Sequence, residues 1–313
     1  MSTLAIQAEG LVRAFGAIRA LDHLSLEVPA GIVFGFLGPN GAGKTTAIRT
    51  FLGLVEPTAG SARVFGFDTR RESDRIRERA GALLEHNGIY ERLTAEQNLD
   101  FAGRVWRISA ADRRVRTREL LEQFGLWDRR LEHASKFSRG MKQKLAVARA
   151  VFHRPPLVFL DEPTAGLDPV ASAALREDLA SLATGHGVTI FLTTHNLVEA
   201  ERLCDIVGVI RKGRLVALGP PASLRPNDSP VVRVTGTGID ALVAELAAGV
   251  PDVREAAIVD GALEVRLADG ARPAALVAML VERGVGIDEV RRKRASLEEV
   301  FLDLVSDSKE TTA

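Results

Sequence analysis

Cysteine is almost missing from this chain. Cys204 is the only one in 313 residues, so no intrachain disulfide can form, and a reducing compartment fits. Set in an apolar stretch, that thiol reads as a small core residue. Long hydrophobic runs are missing too. No stretch approaches the roughly 20 apolar residues of a membrane-spanning helix, and Met1 to Gly10 lacks the basic and apolar regions of a signal peptide. The expected location is therefore the cytoplasm, and any span across a membrane must come from another chain. Net charge is absent as well, with Lys+Arg and Asp+Glu balanced at 41 each, which removes the global electrostatic case for nucleic acid. Arginine clusters at Arg70, Arg71, Arg75, Arg77 and Arg79, and at Arg113, Arg114, Arg116 and Arg118, read as solvated helix faces. What remains, 46% hydrophobic and 26% charged, is soluble globular composition. The length suits two domains, or one domain and an appendage.

One stretch organises the rest. Gly38-Pro39-Asn40-Gly41-Ala42-Gly43-Lys44-Thr45-Thr46 fits G-x-x-x-x-G-K-[ST]. The apolar run Ile32 to Leu37 before it reads as a buried strand, and Ala47 to Leu52 after it as a helix. That context gives the pattern physical meaning. Glycines let the loop curl so that backbone N–H groups and the helix start form a concavity for phosphates. Lys44 would reach the β- and γ-phosphates of a nucleotide, and the Thr45 hydroxyl would ligate Mg²⁺. A dinucleotide-binding loop has no use for Gly-Lys-Thr.

Leu4 to Ala8 alternates as an edge strand and Ala20 to Val28 as a second strand, with Phe15 between them. Ala62 to Phe65 is a further short strand, Asp68 to Arg79 is polar and helical, and Ala80 to Leu84 is a buried strand leading to Glu85. From Leu93 to Ala150 the pattern is helical; Thr94 with Gln97 has capping-box spacing. A helical block of about residues 89–150 between strands is an arm, not part of the central sheet. Leu157 to Leu160 is an unbroken apolar run suited to a parallel strand buried on both faces, and it ends in Asp161-Glu162. Ala171 to Leu182 reads as helix, Val188 to Thr193 as strand, Leu197 to Cys204 as helix, and Ile206 to Ala217 as a hairpin. Prolines at Pro220, Pro221, Pro226 and Pro230 mark a linker, dividing residues 1–225 from 230–313. The second part has βαββαβ order with a hairpin signal at Asp260-Gly261, expected to be a small ferredoxin-like α+β domain. Leu297 to Val305 closes it as an amphipathic helix.

A strand that delivers Asp161 to its carboxyl end puts it where ligands of α/β sheets bind. Asp161 would hold Mg²⁺ and Glu162 would orient and deprotonate an attacking water. Ser138, in Phe137-Ser138-Arg139-Gly140-Met141, is placed as the N-cap of a helix whose start can bind a γ-phosphate.

Together these motifs resemble the nucleotide-binding subunit of ATP-binding-cassette (ABC) transporters over about residues 4–220, which implies a P-loop NTPase cassette of α/β class with a helical arm. The resemblance implies more. Ser138 and Gly140 match a signature of Leu-Ser-Gly-Gly-Gln type, with Arg139 and Met141 departing from it; Asp168 falls in the D-loop. His195 in Thr193-Thr194-His195 is the switch histidine that contacts the γ-phosphate, and Phe15 takes the place of the aromatic that stacks on adenine. Glu85 stands where the family has a glutamine that meets Mg²⁺ and senses the membrane partner; a carboxylate can still ligate the ion. The family works as a head-to-tail homodimer with ATP split across the seam, bound to an integral membrane permease at the inner face of the cell membrane. The C-terminal part is similar to the tail of ATP-binding subunits in the daunorubicin and antibiotic-resistance export group. The expected function is an ATPase powering export of a drug- or antibiotic-like small molecule. The alternative is a soluble ABC-type ATPase not coupled to transport. Against it, translation-type members carry two cassettes where this chain has one, and chromosome-type members insert coiled coils far longer than Leu93 to Ser138.

Overall fold

The computed structural model describes residues 3–224, 231–268 and 270–292. The chain divides into two compact units, the second beginning at Ala222.

In the first unit, β1 (Leu4–Phe15), β2 (Ile18–Pro29), β3 (Val33–Leu37), α1 (Lys44–Phe51), β4 (Ala59–Val64), β5 (Phe67–Asp68), α2 (Ser73–Arg79) and β6 (Ala80–Leu83) come first. The arm follows as α3 (Ala95–Val105), α4 (Ala110–Gln123), two short 3-10 turns and α5 (Arg139–Ala150). Then come β7 (Leu157–Asp161), α6 (Pro169–His186), β8 (Thr189–Thr194), α7 (Leu197–Leu203), β9 (Ile206–Arg211) and β10 (Arg214–Gly219).

Two sheets result. The larger has strand order β10-β9-β3-β8-β7-β6, parallel except for the β9–β10 hairpin. Every residue of β3, β7 and β8 is buried, as expected of parallel strands covered on both faces. Phenylalanines fill the space beside the phosphate loop: Phe34 stacks on Phe191 at 5.2 Å between centroids, and Phe51 of α1 meets Phe191 edge-on at 5.8 Å. The smaller sheet is antiparallel, in the order β2-β1-β4-β5.

Three expectations need correction. The first strand is not an edge: β1 lies between β2 and β4. Its alternation breaks at Glu9-Gly10 because the register shifts there, with Gly10 at φ +53°, and pairing resumes beyond it to Phe15. The second arginine cluster is not a wholly solvated face. Arg113 and Arg116 are largely covered; Arg113 donates to Asp100 Oδ1 at 2.7 Å, and Arg116 to the carbonyls of Val151 and Phe152 at 3.1 and 3.3 Å. These bonds tie the arm together. Its first helix opens on the expected capping box of Thr94 and Gln97. The polar segment from Asp68 is helical only from Ser73, since Phe67 and Asp68 pair with Val64 and Arg63 as β5.

The second unit contains β11 (Val231–Thr237), α8 (Ala241–Ala248), β12 (Val253–Val259), β13 (Ala262–Leu267), α9 (Ala274–Glu282) and β14 (Gly286–Arg292). Its antiparallel sheet runs β12-β13-β11-β14, the ferredoxin-like order for a βαββαβ chain. Val232, Val234, Leu263, Val265, Leu276 and Leu280 form its own core. The Asp260-Gly261 turn has both residues at positive φ, as the hairpin geometry demands. The helix expected over Leu297 to Val305 lies outside the described residues.

Candidate active site

Parallel packing brings the carboxyl ends of β3, β7 and β8 to one edge of the larger sheet, and each ends in a functional segment. After β3 the chain turns through the phosphate loop into α1. Gly43 caps that helix at φ +108°, and a side chain there would strike the carbonyl of Ala20, so only glycine fits. The loop is braced from outside. Gly213 N donates to Ala42 O at 3.0 Å, while Asp22 N donates to Gly213 O at 2.9 Å. Asp22 also accepts from Arg19 and Arg214 at 2.9 and 2.6 Å; Arg19 first, then Arg214, hold its carboxyl well below the usual carboxylate range.

Lys44 is 6% exposed. Its Nζ donates to Gly38 O at 2.7 Å and Pro39 O at 3.2 Å, and pairs with Glu162 Oε1 at 3.2 Å. Thr45 Oγ1 donates to Asp161 Oδ2 at 2.7 Å, and Thr193 Oγ1 donates to Asp161 Oδ1 at 2.5 Å. That threonine hydroxyl in turn accepts from Glu162 N at 3.0 Å. Glu162 has φ +49°, uncommon for a residue with a Cβ. The turn follows β7 directly, and the side chain ends between Lys44 and His195, whose Nδ1 lies 3.1 Å from Glu162 Oε2. His195 itself is exposed.

A cavity of about 170 Å³ is lined by Pro39 to Thr46 together with Ala20 and Glu162. A second, of about 450 Å³, adjoins Asn40, Thr45, Asp161 and Glu162, and Glu85 and Arg139 line it too. The structure thus brings Lys44, Thr45, Asp161, Glu162 and His195 together. Glu85 faces the same space but is largely exposed, and its carboxylate meets Arg49 at 3.5 Å. Phe15 stands exposed at the end of β1 with the Arg13 guanidinium 4.3 Å over its ring. It lines neither cavity, and nor do Ser138 and Gly140. Ser138 does cap α5, accepting from Met141 N at 3.2 Å. Arg139 lies on Gly166, in the loop before α6, where a Cβ would meet its guanidinium.

Sequence reading missed an apolar groove where β6, α3 and α5 meet. Tyr90 and Phe101 pack edge-on at 5.0 Å, both rings partly exposed, and Trp106 stacks on His153 at 3.8 Å. They line a cavity of about 240 Å³ with Val105 and Arg149. Arg149 of α5 donates to the carbonyls of Asn87 and Gly88, joining the groove to the loop that begins at Glu85. Phe101, Val105 and Trp106 along and just after α3 were the signal, but a core face gives the same pattern.

A glycine-rich loop holding a buried lysine, a hydroxyl–carboxylate pair and a second carboxylate against a histidine define a P-loop ATPase. Residues 21–165 match the ABC transporter family. The chain is 36% identical to a daunorubicin resistance ATP-binding protein, DrrA3 of Streptomyces coeruleorubidus, over 99% of this chain and 98% of that one. It is 35% identical to the bacitracin transport ATP-binding protein BcrA of Bacillus licheniformis, over 97% of this chain and 98% of that one. Among solved structures, an ATP-binding subunit of an ABC transporter shares 33% identity at a TM-score of 0.63, over 70% of this chain and 91% of that chain. This chain belongs to the ATP-binding subunits of the ABC transporter family, in the group of drug-resistance ATP-binding proteins, and it is an ATP-binding ATPase. Among the described residues, no helix is long and apolar enough to cross a membrane.

Proposed function

We propose that this chain is the motor of an exporter, hydrolysing ATP as a head-to-tail homodimer on the inner face of the cell membrane. It drives a drug- or antibiotic-like small molecule through a separate integral membrane permease. The observation that carries the chemistry is the convergence of Lys44 and His195 on the two oxygens of Glu162 at the mouth of the phosphate loop. The support for export is similarity along nearly the full chain to daunorubicin resistance ATP-binding proteins.

Backbone N–H groups from Asn40 to Thr46 cradle the phosphates, and Lys44 places a point charge on them. Glu162 accepts the proton of the attacking water. His195 contacts the γ-phosphate and fixes the carboxylate of Glu162 from the other side. Phe15 offers its ring to the adenine. Ser138 and Gly140 of one copy reach the nucleotide held by the other, through the N-terminus of α5. The hydroxyl of Thr45 and the carboxylate of Asp161, bonded to each other at 2.7 Å, are the hard oxygen donors that Mg²⁺ takes. Glu85, now paired with Arg49, would supply a further carboxylate, and an ion held by these oxygens would offset phosphate charge. The groove around Tyr90, Phe101 and Trp106 docks the permease, and Arg149 links it to the loop of Glu85.

The test is transport. The chain, co-expressed with its membrane partner and assayed in inverted vesicles, should accumulate an amphipathic antibiotic such as daunorubicin only with ATP, and not as K44A. Vigorous ATPase activity with no ATP-dependent movement of any such compound would overturn the export reading.

A further inference from the structure

Among the described residues of the cassette, Glu199 is the one carboxylate with no solvent exposure at all. It sits in the first turn of α7, and burying it so completely is costly unless hydrogen bonds repay the lost hydration. Its Oε2 accepts two, from Thr164 Oγ1 and from Thr194 Oγ1, each at 2.8 Å. Its Oε1 has no partner. A stability role alone would be met as well by an apolar residue of the same size, because replacing all partners of a buried polar network by apolar groups is often neutral.

The two donors stand at informative places. Thr164 is two residues beyond Glu162, in the loop that leaves β7. Thr194 immediately precedes His195. The grip on the histidine is closed from the other side as well: Asn196 N donates to Thr194 Oγ1 at 2.9 Å, and Asn196 Oδ1 accepts from Glu199 N at 3.1 Å. Both chain neighbours of His195 are therefore tied to Glu199, and so is the loop that carries Glu162. Between these two held segments lies the 3.1 Å contact of His195 Nδ1 with Glu162 Oε2.

We infer that Glu199 is a positioning residue for ATP hydrolysis, a buried clamp that fixes the distance between the Glu162 loop and the His195 loop. It touches neither nucleotide nor water and acts through those two side chains. The inference rests on the proposed roles of Glu162 and His195. Displacement of a reacting group by about 1 Å costs about 10²-fold in rate, so loosening the clamp lowers turnover far more than nucleotide affinity, since the phosphate loop, which holds most of the nucleotide, makes no hydrogen bond to Glu199.

The experiment compares E199A, E199Q and T164V with the wild type and with E162Q as control, measuring kcat, KM for ATP, the Kd of a fluorescent ATP analogue and thermal stability. T164V removes one hydroxyl at nearly constant volume, so it tests the clamp even where E199A fails to fold. It should lose about tenfold or more in kcat, with Kd within twofold of wild type. E199A should lose more, and E199Q, whose amide oxygen can accept from both threonines, should recover most of it. Wild-type kcat in T164V, or a loss that E199Q fails to recover, would overturn the clamp. Full activity of the E162Q control would instead overturn the roles on which it rests.

Discussion

Lys44 Nζ and Glu162 Oε1 lie 3.2 Å apart, a buried cation from the phosphate loop against the carboxylate that follows β7. The pair joins the two halves of the site, because β3 and β7 are not neighbours in the sheet; β8 runs between them. Replacing Lys44 therefore removes the charge proposed to meet the phosphates and leaves Glu162 without the lysine's charge. K44A should lose ATP binding by at least about tenfold and turnover almost entirely, as removal of a charged hydrogen-bonding group costs roughly 1.5–3 kcal/mol. Equilibrium binding of a fluorescent ATP analogue and steady-state phosphate release measure the two losses.

His153 gives a pH dependence. Burial against Trp106 lowers its pKa from 6.5 to about 4. The unfolded chain takes up the proton near pH 6.5, whereas the folded chain takes it up only near pH 4. Stability contributed by the neutral ring is thus fully present above pH 6.5 and falls as the pH drops from there toward 4. Urea unfolding at pH 7 and pH 5 should show a loss in the wild type that is smaller in His153→Phe.

The groove beside that histidine supplies a prediction about the partner. Phe101→Glu and Val105→Glu place a charge on an apolar surface that must be desolvated for docking. Each should abolish co-purification of the membrane permease, with the Kd for ATP unchanged in the isolated subunit. Undiminished capture of the permease by both variants would place the docking surface elsewhere.

The domain division has its own test. The core around Val232, Leu263 and Leu280 is separate from the cluster around Phe34, Phe51 and Phe191, and every nucleotide motif precedes the linker. Deletion from Ser229 onward should leave a folded cassette that binds ATP with the affinity of the whole chain, measured by the same fluorescent analogue. Insolubility together with lost binding would refute the boundary between 225 and 230.

How far the chain could be read depended on how local each signal was. The phosphate loop, Asp161 and Glu162 were legible because each follows an unbroken apolar run whose strand identity is settled within a few residues. The ferredoxin-like unit was legible because its order of elements and its Asp260-Gly261 turn are local as well. Thr193 and Glu199 were not. Their roles arise from the parallel register that sets Asp161 beside Thr193, and nothing within ten residues of either position announces it. The long first strand was hidden by its irregularity at Gly10. Arg113 and Arg116 were misjudged for a related reason: composition marks an arginine as polar, and only tertiary packing supplies the carboxylate and carbonyl oxygens that let it be covered.

The role proposed for Glu162, the base that activates water, is tested by the turnover of Glu162→Gln at saturating Mg-ATP. The amide keeps the shape of the carboxylate but cannot accept a proton, and general-base assistance is worth about 10²–10⁴ in rate. Phosphate release should fall by that order while ATP binding persists. Hydrolysis by Glu162→Gln at the wild-type rate would contradict the claim.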